Sequence, residues 1–341
     1  MENKKKLSKG TKILLIIAGI LVGLAVIMAL TVLVLHEIGK NALTDDGSGM
    51  RMQSATVDSD EGTVKYKDKL YRYNDRITTI LLMGVDAREK NVTEGEFGQP
   101  NQTDANVLAV LDPVNEKVTL ISVSRDTMCT IDVIDDKGEH TGTAQAQLAL
   151  AHSFGDGGNV SCELTTSAVS RIFYGLPIKA YGSIYLDGII ELVDVVDGVT
   201  VTPATSFSVF TEGKPVLLKG WLTEQYVRYR EHTVEGNNER MQRQNQVLKE
   251  LVKTALERAK SDKNYVLSIY DSVKDNATTN LDASMIVYLA MVASNLSFDG
   301  SIINVPGESV MGAQNHAEFY VDEDALFELI LDVFYIPVET E

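Results

Sequence analysis

Four arginines are packed into two short stretches, Gln225-Tyr-Val-Arg-Tyr-Arg-Glu231 and Glu239-Arg-Met-Gln-Arg-Gln-Asn245, of a chain whose formal net charge is -17. Arginine presents a rigid, permanently charged fork that matches phosphate and carboxylate oxygens. If Tyr226–Arg230 is extended, Arg228 and Arg230 point to the same side. The segment that follows reads as a helix whose apolar stripe is Val247, Leu248, Leu251, Val252, Ala255 and Leu256. Run back at helical spacing, that stripe reaches Gln244 and Arg240, which puts an amide and a guanidinium on the buried side. The first turns of a helix also offer free N–H groups and the positive end of its dipole to anions. The competing reading is a set of surface ion pairs held in water.

Carboxylates supply the second half of a possible site. Thr78–Gly84, Asn106–Asp112 and Lys117–Val123 are short apolar runs bounded by breakers, and read as strands. The turn Pro113-Val-Asn-Glu116 makes the second and third a hairpin. If the first pairs antiparallel with the second, Asp86, Asp104, Arg125 and Asp126 gather at one edge of the sheet. Two carboxylates beside an arginine can hold Mg²⁺ and a diphosphate together, because the hard cation takes oxygens from both. Either aspartate alone is equally explained by the preference of Asp for turns.

The elements that must position these residues suggest one α/β domain. Helices are expected over Ser161–Tyr174, Leu186–Val196, Arg240–Lys260, Leu281–Asn295 and Asp324–Phe334, with strands at Val199–Val201 and near Ser301–Val305. Interleaved in this way, they predict a single layered α-β-α domain around a mixed sheet, spanning residues 76–341. Ahead of it, Ile13–Leu35 is an uncharged apolar run long enough to cross a bilayer. Lys4, Lys5, Lys6, Lys9 and Lys12 precede the run, which keeps residues 1–12 in the cytoplasm and places the rest outside the cell. A cleaved signal peptide fits less well, since the run is long and no small-x-small site follows it directly. Residues 36–75 are polar and poor in core material, and read as an extracellular stem.

Composition limits the partners. The 48 acidic residues against 31 basic ones oppose phosphate-backbone binding, so nucleic acid is not expected. The five histidines are scattered and give no zinc pattern. Cys129 and Cys162 are an even pair in an exported domain, and a disulfide between them is expected, with two unpaired buried thiols as the alternative.

The ordered set Leu81-Leu-Met-Gly-Val-Asp-Ala-Arg88, Thr103-Asp104, Leu120-Ile-Ser-Val-Ser-Arg-Asp126, Leu186-Asp-Gly188, Asp197-Gly-Val199, Tyr226-Val-Arg-Tyr-Arg230 and Arg240-Met-Gln-Arg-Gln244 resembles the LytR-CpsA-Psr family of cell-envelope phosphotransferases. The resemblance runs from Thr78 to Gln246, with a looser match at Val305-Pro-Gly307. It implies transfer of a phosphoglycopolymer, teichoic acid or capsule-like, from a polyprenyl diphosphate carrier to a muramic acid hydroxyl of peptidoglycan. The bond broken lies between the two phosphates. By the same resemblance Asp86 and Asp104 support Mg²⁺, and Arg125, Arg228, Arg230, Arg240 and Gln244 hold the diphosphate. The catalytic residues it implies are Asp104, Arg125, Arg228 and Arg230. The prenyl tail occupies an apolar channel inside the domain.

Three positions depart from the family pattern. Gln102 stands where an arginine often precedes Ser-Asp, Asn237 where an Asp often stands, and Asp197 where a glycine is common. The first removes a cation from the expected site. Two other functions remain open on these residues, a prenyl diphosphate phosphohydrolase of the same fold and a non-catalytic envelope module that binds or regulates.

Overall fold

A computed structural model describes residues 9–47, 50, 56–58, 63–88, 90, 92, 96–98, 101–230, 234–262, 265–313 and 315–338. The central sheet is built from β1 (Thr78–Val85), β2 (Thr103–Asp112), β3 (Lys117–Val123), β4 (Ala180–Ile184), β5 (Ala277–Thr279) and β6 (Ile302–Asn304). Its spatial order is β5-β4-β1-β2-β3-β6. β1–β4 and β3–β6 pair in parallel, and the other neighbours are antiparallel. β1 is almost continuously apolar because both of its faces are covered. Leu81 and Met83 enter one core, and Ile80 and Leu82 enter the other.

On the first face, Leu108, Ile121 and Val123 pack against helix α2 (Asn159–Ile172) through Cys162, Ala168 and Val169, and against the helix at Glu323–Phe334 through Phe327, Ile330 and Phe334. On the second face, Val107, Ala109, Val118 and Leu120 pack against Leu248, Val252 and Leu256 of the long helix Val234–Ser261. Helices therefore cover a mixed sheet on both sides, as the pattern of the sequence requires. A third core joins the helix Leu186–Val195, the ribbon Val199–Val201/Val216–Leu218 and the helix Trp221–Arg228.

Two expectations are corrected here. Residues 36–75 are not a free stem. Helix α1 runs without a break from Lys9 to Leu43. Leu43 is 1% exposed, in a cluster with Ile80, Ala180 and Tyr288. Thr63–Tyr66 and Lys69–Tyr73 form a sheet with Tyr335–Val338, and Val64 and Tyr73 enter the main core. So few apolar residues, widely spaced, leave the composition polar although Leu43, Val64 and Tyr73 are buried. The stretch 51–55 and 59–62 lies outside the described residues, as do residues 1–8 of the expected cytoplasmic tail.

The second correction concerns Cys129 and Cys162, which are both free and buried. Cys162 Sγ lies 3.3 Å from Ser183 Oγ, and burial pushes both thiols up to about 12. They are small apolar fillers of the core, as free cysteines often are.

α1 docks on the helix Ala283–Ala293. A Cβ at Gly39 would collide with the Ser284 carbonyl oxygen, and the His36 and Tyr288 rings are 5.2 Å apart. Residue numbers fall along one helix as they rise along the other, so the two are antiparallel. Gly39→Leu should pry them apart and destabilise the domain by about 1–3 kcal/mol, read as a lower Tm in detergent; an unchanged Tm would mean that α1 does not dock. For the thiols, native protein at pH 8 should resist alkylation, and protein unfolded without reductant should take up two alkyl groups. Mass spectrometry decides, and an unmodified unfolded chain would restore the disulfide.

Candidate active site

β1 ends, β2 begins and β3 ends at the same edge of the sheet, and the acidic and basic residues expected there do meet. Asp86 follows β1 and its N–H donates to the Gln102 carbonyl (2.9 Å). Asp104 is the second residue of β2. Its Oδ1 accepts from Arg125 Nη1, and its Oδ2 from Arg240 Nη1 at 2.7 Å. One carboxylate thus ties the sheet edge to the long helix. Arg240 is 4% exposed, confirming that the helix turns a guanidinium inward where an apolar residue would be expected. Burial lowers its pKa, with Arg125 and Arg230 acting in the same direction and Asp104 and Asp86 opposing.

Gln102 serves this edge as an acceptor. Its Oε1 accepts from Arg125 Nη2, so the position that lacks the expected cation instead fixes the guanidinium beside it. Asp126 closes the other flank. Its Oδ1 is 3.6 Å from Arg125 Nε, and its Oδ2 accepts from Asn237 Nδ2 at 3.2 Å. Burial raises its pKa, opposed by Arg125 and Arg240. Asn237 is thus suited to this chain: a neutral amide donates to Asp126, where a second carboxylate would face it with like charge.

The segment Tyr226–Arg230 is not extended as expected. Trp221–Arg228 is helical, and the chain becomes extended only at Tyr229 (ψ 131). Arg228 and Arg230 therefore do not share a strand face. Both are exposed. Arg228 lies 3.2 Å from Glu224 and lines the same cavity as Asp86, Asp104 and Gln244, while Arg230 sits close enough to act on Arg240. Gln244 donates to the Val227 carbonyl at 3.4 Å, and its buried Oε1 has no partner among the described residues.

Arg243 was part of the arginine cluster but had no assigned task. It is 5% exposed, and its Nε and Nη2 donate to the Tyr226 and Tyr229 carbonyls. Its guanidinium lies 4.5 Å above the Phe207 ring. These carbonyls are at the C-terminal end of a helix, where backbone acceptors are left over and a positive charge suits the dipole. Arg243 therefore caps the helix that presents Arg228 and sets the path to Arg230. Phe207 comes from a loop with no sequence signal for this role.

From this edge a cavity of about 650 Å³ runs beneath the sheet, lined by Leu82, Val107, Leu251, Ile286 and Leu289 among others. A polar mouth, formed by Asp86, Asp104, Arg228 and Gln244, opens on an apolar interior.

The LytR_cpsA_psr family model matches residues 45–330. The chain belongs to this family. The polyisoprenyl-teichoic acid–peptidoglycan teichoic acid transferase TagU of Enterococcus faecalis is 30% identical over 283 residues, covering 81% of each chain. The transferase TagT of Bacillus subtilis is 25% identical over 296 residues, covering 83% of this chain and 80% of the relative. The crystal structure of B. subtilis TagV shares the fold, with a TM-score of 0.58 at 21% identity over 75% of this chain and 96% of that one.

Asp86 and Asp104 line one cavity, and their oxygens suit a hard cation that takes a pair of carboxylates and completes its shell with phosphate and water. No group of three or more His, Cys, Asp or Glu side chains that could hold a metal occurs among the described residues. Arg243→Met should cost about 2 kcal/mol or more in unfolding free energy, since two carbonyls lose charged donors. Arg243→Lys should recover only part of this, because an ammonium cannot reproduce the fork. Urea unfolding with both variants checks this; matching midpoints for Met and wild type would remove the capping role.

Proposed function

We propose that this protein moves a phosphoglycopolymer of the teichoic acid type from a polyprenyl diphosphate carrier to peptidoglycan. The observation that carries the reading is the joining of a polar mouth, where Arg228 stands with Asp86, Asp104 and Gln244, to an apolar cavity, which suits a molecule with a diphosphate head and a lipid tail. The names of the relatives TagU and TagT favour the same chemistry. In the reaction, a muramic acid hydroxyl oxygen attacks the phosphorus bearing the sugar. The bond to the bridging oxygen breaks, prenyl monophosphate leaves, and the hydroxyl proton passes to a base.

Arg125, Arg240, Arg228 and Arg230 hold the diphosphate and offset the charge that builds on the leaving oxygen. Gln244 adds an amide to the same wall. Asp104 anchors Arg125 and Arg240 through its two oxygens, so its first task is to hold the clamp in register. Asp86 and Asp104 would hold Mg²⁺, which supplies further neutralisation of the diphosphate. Catalysis then rests on positioning and charge, with no protein nucleophile.

The membrane reading has a geometric counterpart. Ala25–Leu43 is long and apolar enough to cross a bilayer. Asp45, just beyond it, pairs with Lys179 at 2.6 Å, and Lys179 precedes the first residue of β4. That end of the sheet is opposite Asp86. With the N-terminus in the cytoplasm, the reaction edge points outward toward the wall, and the cavity bridges the distance from the membrane to the diphosphate.

Full-length protein in detergent, given lipid-linked polymer, peptidoglycan and Mg²⁺, should release prenyl monophosphate and attach polymer to the wall. Release without attachment would mean that water is the acceptor and the protein is a hydrolase. Neither product would leave a binding module. Arg240→Ala should weaken donor binding by about 1.5–3 kcal/mol. Asp86→Ala, at an exposed position, should abolish the response to Mg²⁺ while leaving Tm unchanged; equal turnover in EDTA would remove the metal.

A further inference from the structure

Gly182 occupies the middle of β4, a strand with neighbours on both sides. It faces Leu82 of β1 and Thr279 of β5. A glycine there leaves nothing to pack and weakens a strand. Such a residue usually marks a bulge, a backbone turn that other residues resist, or the close passage of another group. The first does not apply, because the register of β4 runs unbroken through Gly182 against both neighbours. The second does not apply, because its φ is outside the left-handed region. The third has no protein candidate among the described residues: a Cβ built on Gly182 meets no atom within 4 Å. By contrast, a Cβ on Gly84, near the end of β1, would lie 3.2 Å from the Ala105 Cβ. The open space at Gly182 belongs to the apolar cavity, whose wall it forms beside Leu82 and Val107.

We propose that Gly182 determines which lipid lengths the site accepts, by keeping the cavity open where a long prenyl chain crosses β4. The proposal rests on the transferase reading above. Leu82, opposite Gly182, is four residues from Asp86 in the sequence, or about 13 Å along a strand. With its diphosphate held at the arginines, a geranyl chain ends near this point. A long polyprenyl chain must continue past it. The sheet therefore gives up a side chain at Gly182, where the chain and the strand would compete for volume.

The test compares full-length wild type, Gly182→Ala and Gly182→Leu in detergent, with calorimetric Kd values for geranyl diphosphate and a long-chain polyprenyl diphosphate. For Gly182→Leu, the Kd of the long-chain compound should rise at least about tenfold, and that of geranyl diphosphate by less than about twofold. Gly182→Ala should shift the ratio in the same direction by a smaller factor. Tm should not fall for Gly182→Ala, whose Cβ meets no atom within 4 Å, and retained geranyl diphosphate binding shows that Gly182→Leu keeps the fold. Equal losses for both compounds, or no loss for either, would overturn the role of Gly182 while leaving the transferase reading intact. Wild type that binds neither compound would instead overturn the transferase reading, and this proposal with it.

Discussion

One carboxylate holds the site together. Asp104 accepts from Arg125 on one oxygen and Arg240 on the other, and its side chain is only 11% exposed. Buried ion pairs are poor sources of stability, because desolvation offsets most of the attraction. Their value here is geometric. The pairing fixes the sheet edge against the long helix, and with Asp126 beside Arg125 two carboxylates stand against two guanidiniums.

Around that pair, each support has its own supports. Gln102 and Asp126 hold Arg125 from two sides, and Asn237 holds Asp126 from the helix. Arg243 closes the end of the helix that carries Arg228, under Phe207. These groups place charge before substrate binds, so little reorganisation is left for the reaction itself.

The apolar part of the site follows from the sheet. Successive residues of a strand face opposite ways. Leu81, Met83 and Leu108 fill the core beneath α2, while Leu82, Val107 and Gly182 face the other layer, where the cavity lies. α1 continues this layer by docking at Gly39 on the helix Ala283–Ala293.

By itself, the sequence determined the layered α/β class, the hairpin of β2 and β3, and the gathering of Asp86, Asp104, Arg125 and Asp126 at one edge. Strand alternation, turn residues and the order of the strands are local, and they carry that much. It also placed Arg240 and Gln244 on the inner face of their helix, because helical spacing extends an apolar stripe reliably. What only the tertiary structure decided depends on distant neighbours. Whether Tyr226–Arg230 was strand or helix turned on Arg243, seventeen residues past Tyr226, whose side chain completes the helix end. Residues 36–75 looked like a stem because their few apolar side chains, Leu43, Val64 and Tyr73, show no period until partners from β1 and from Tyr335–Val338 bury them. The two cysteines could have bonded by composition alone, but packing placed each in the core as a free thiol. Composition and spacing report what a residue can do, and the contacts that choose among those possibilities come from segments the local pattern does not contain.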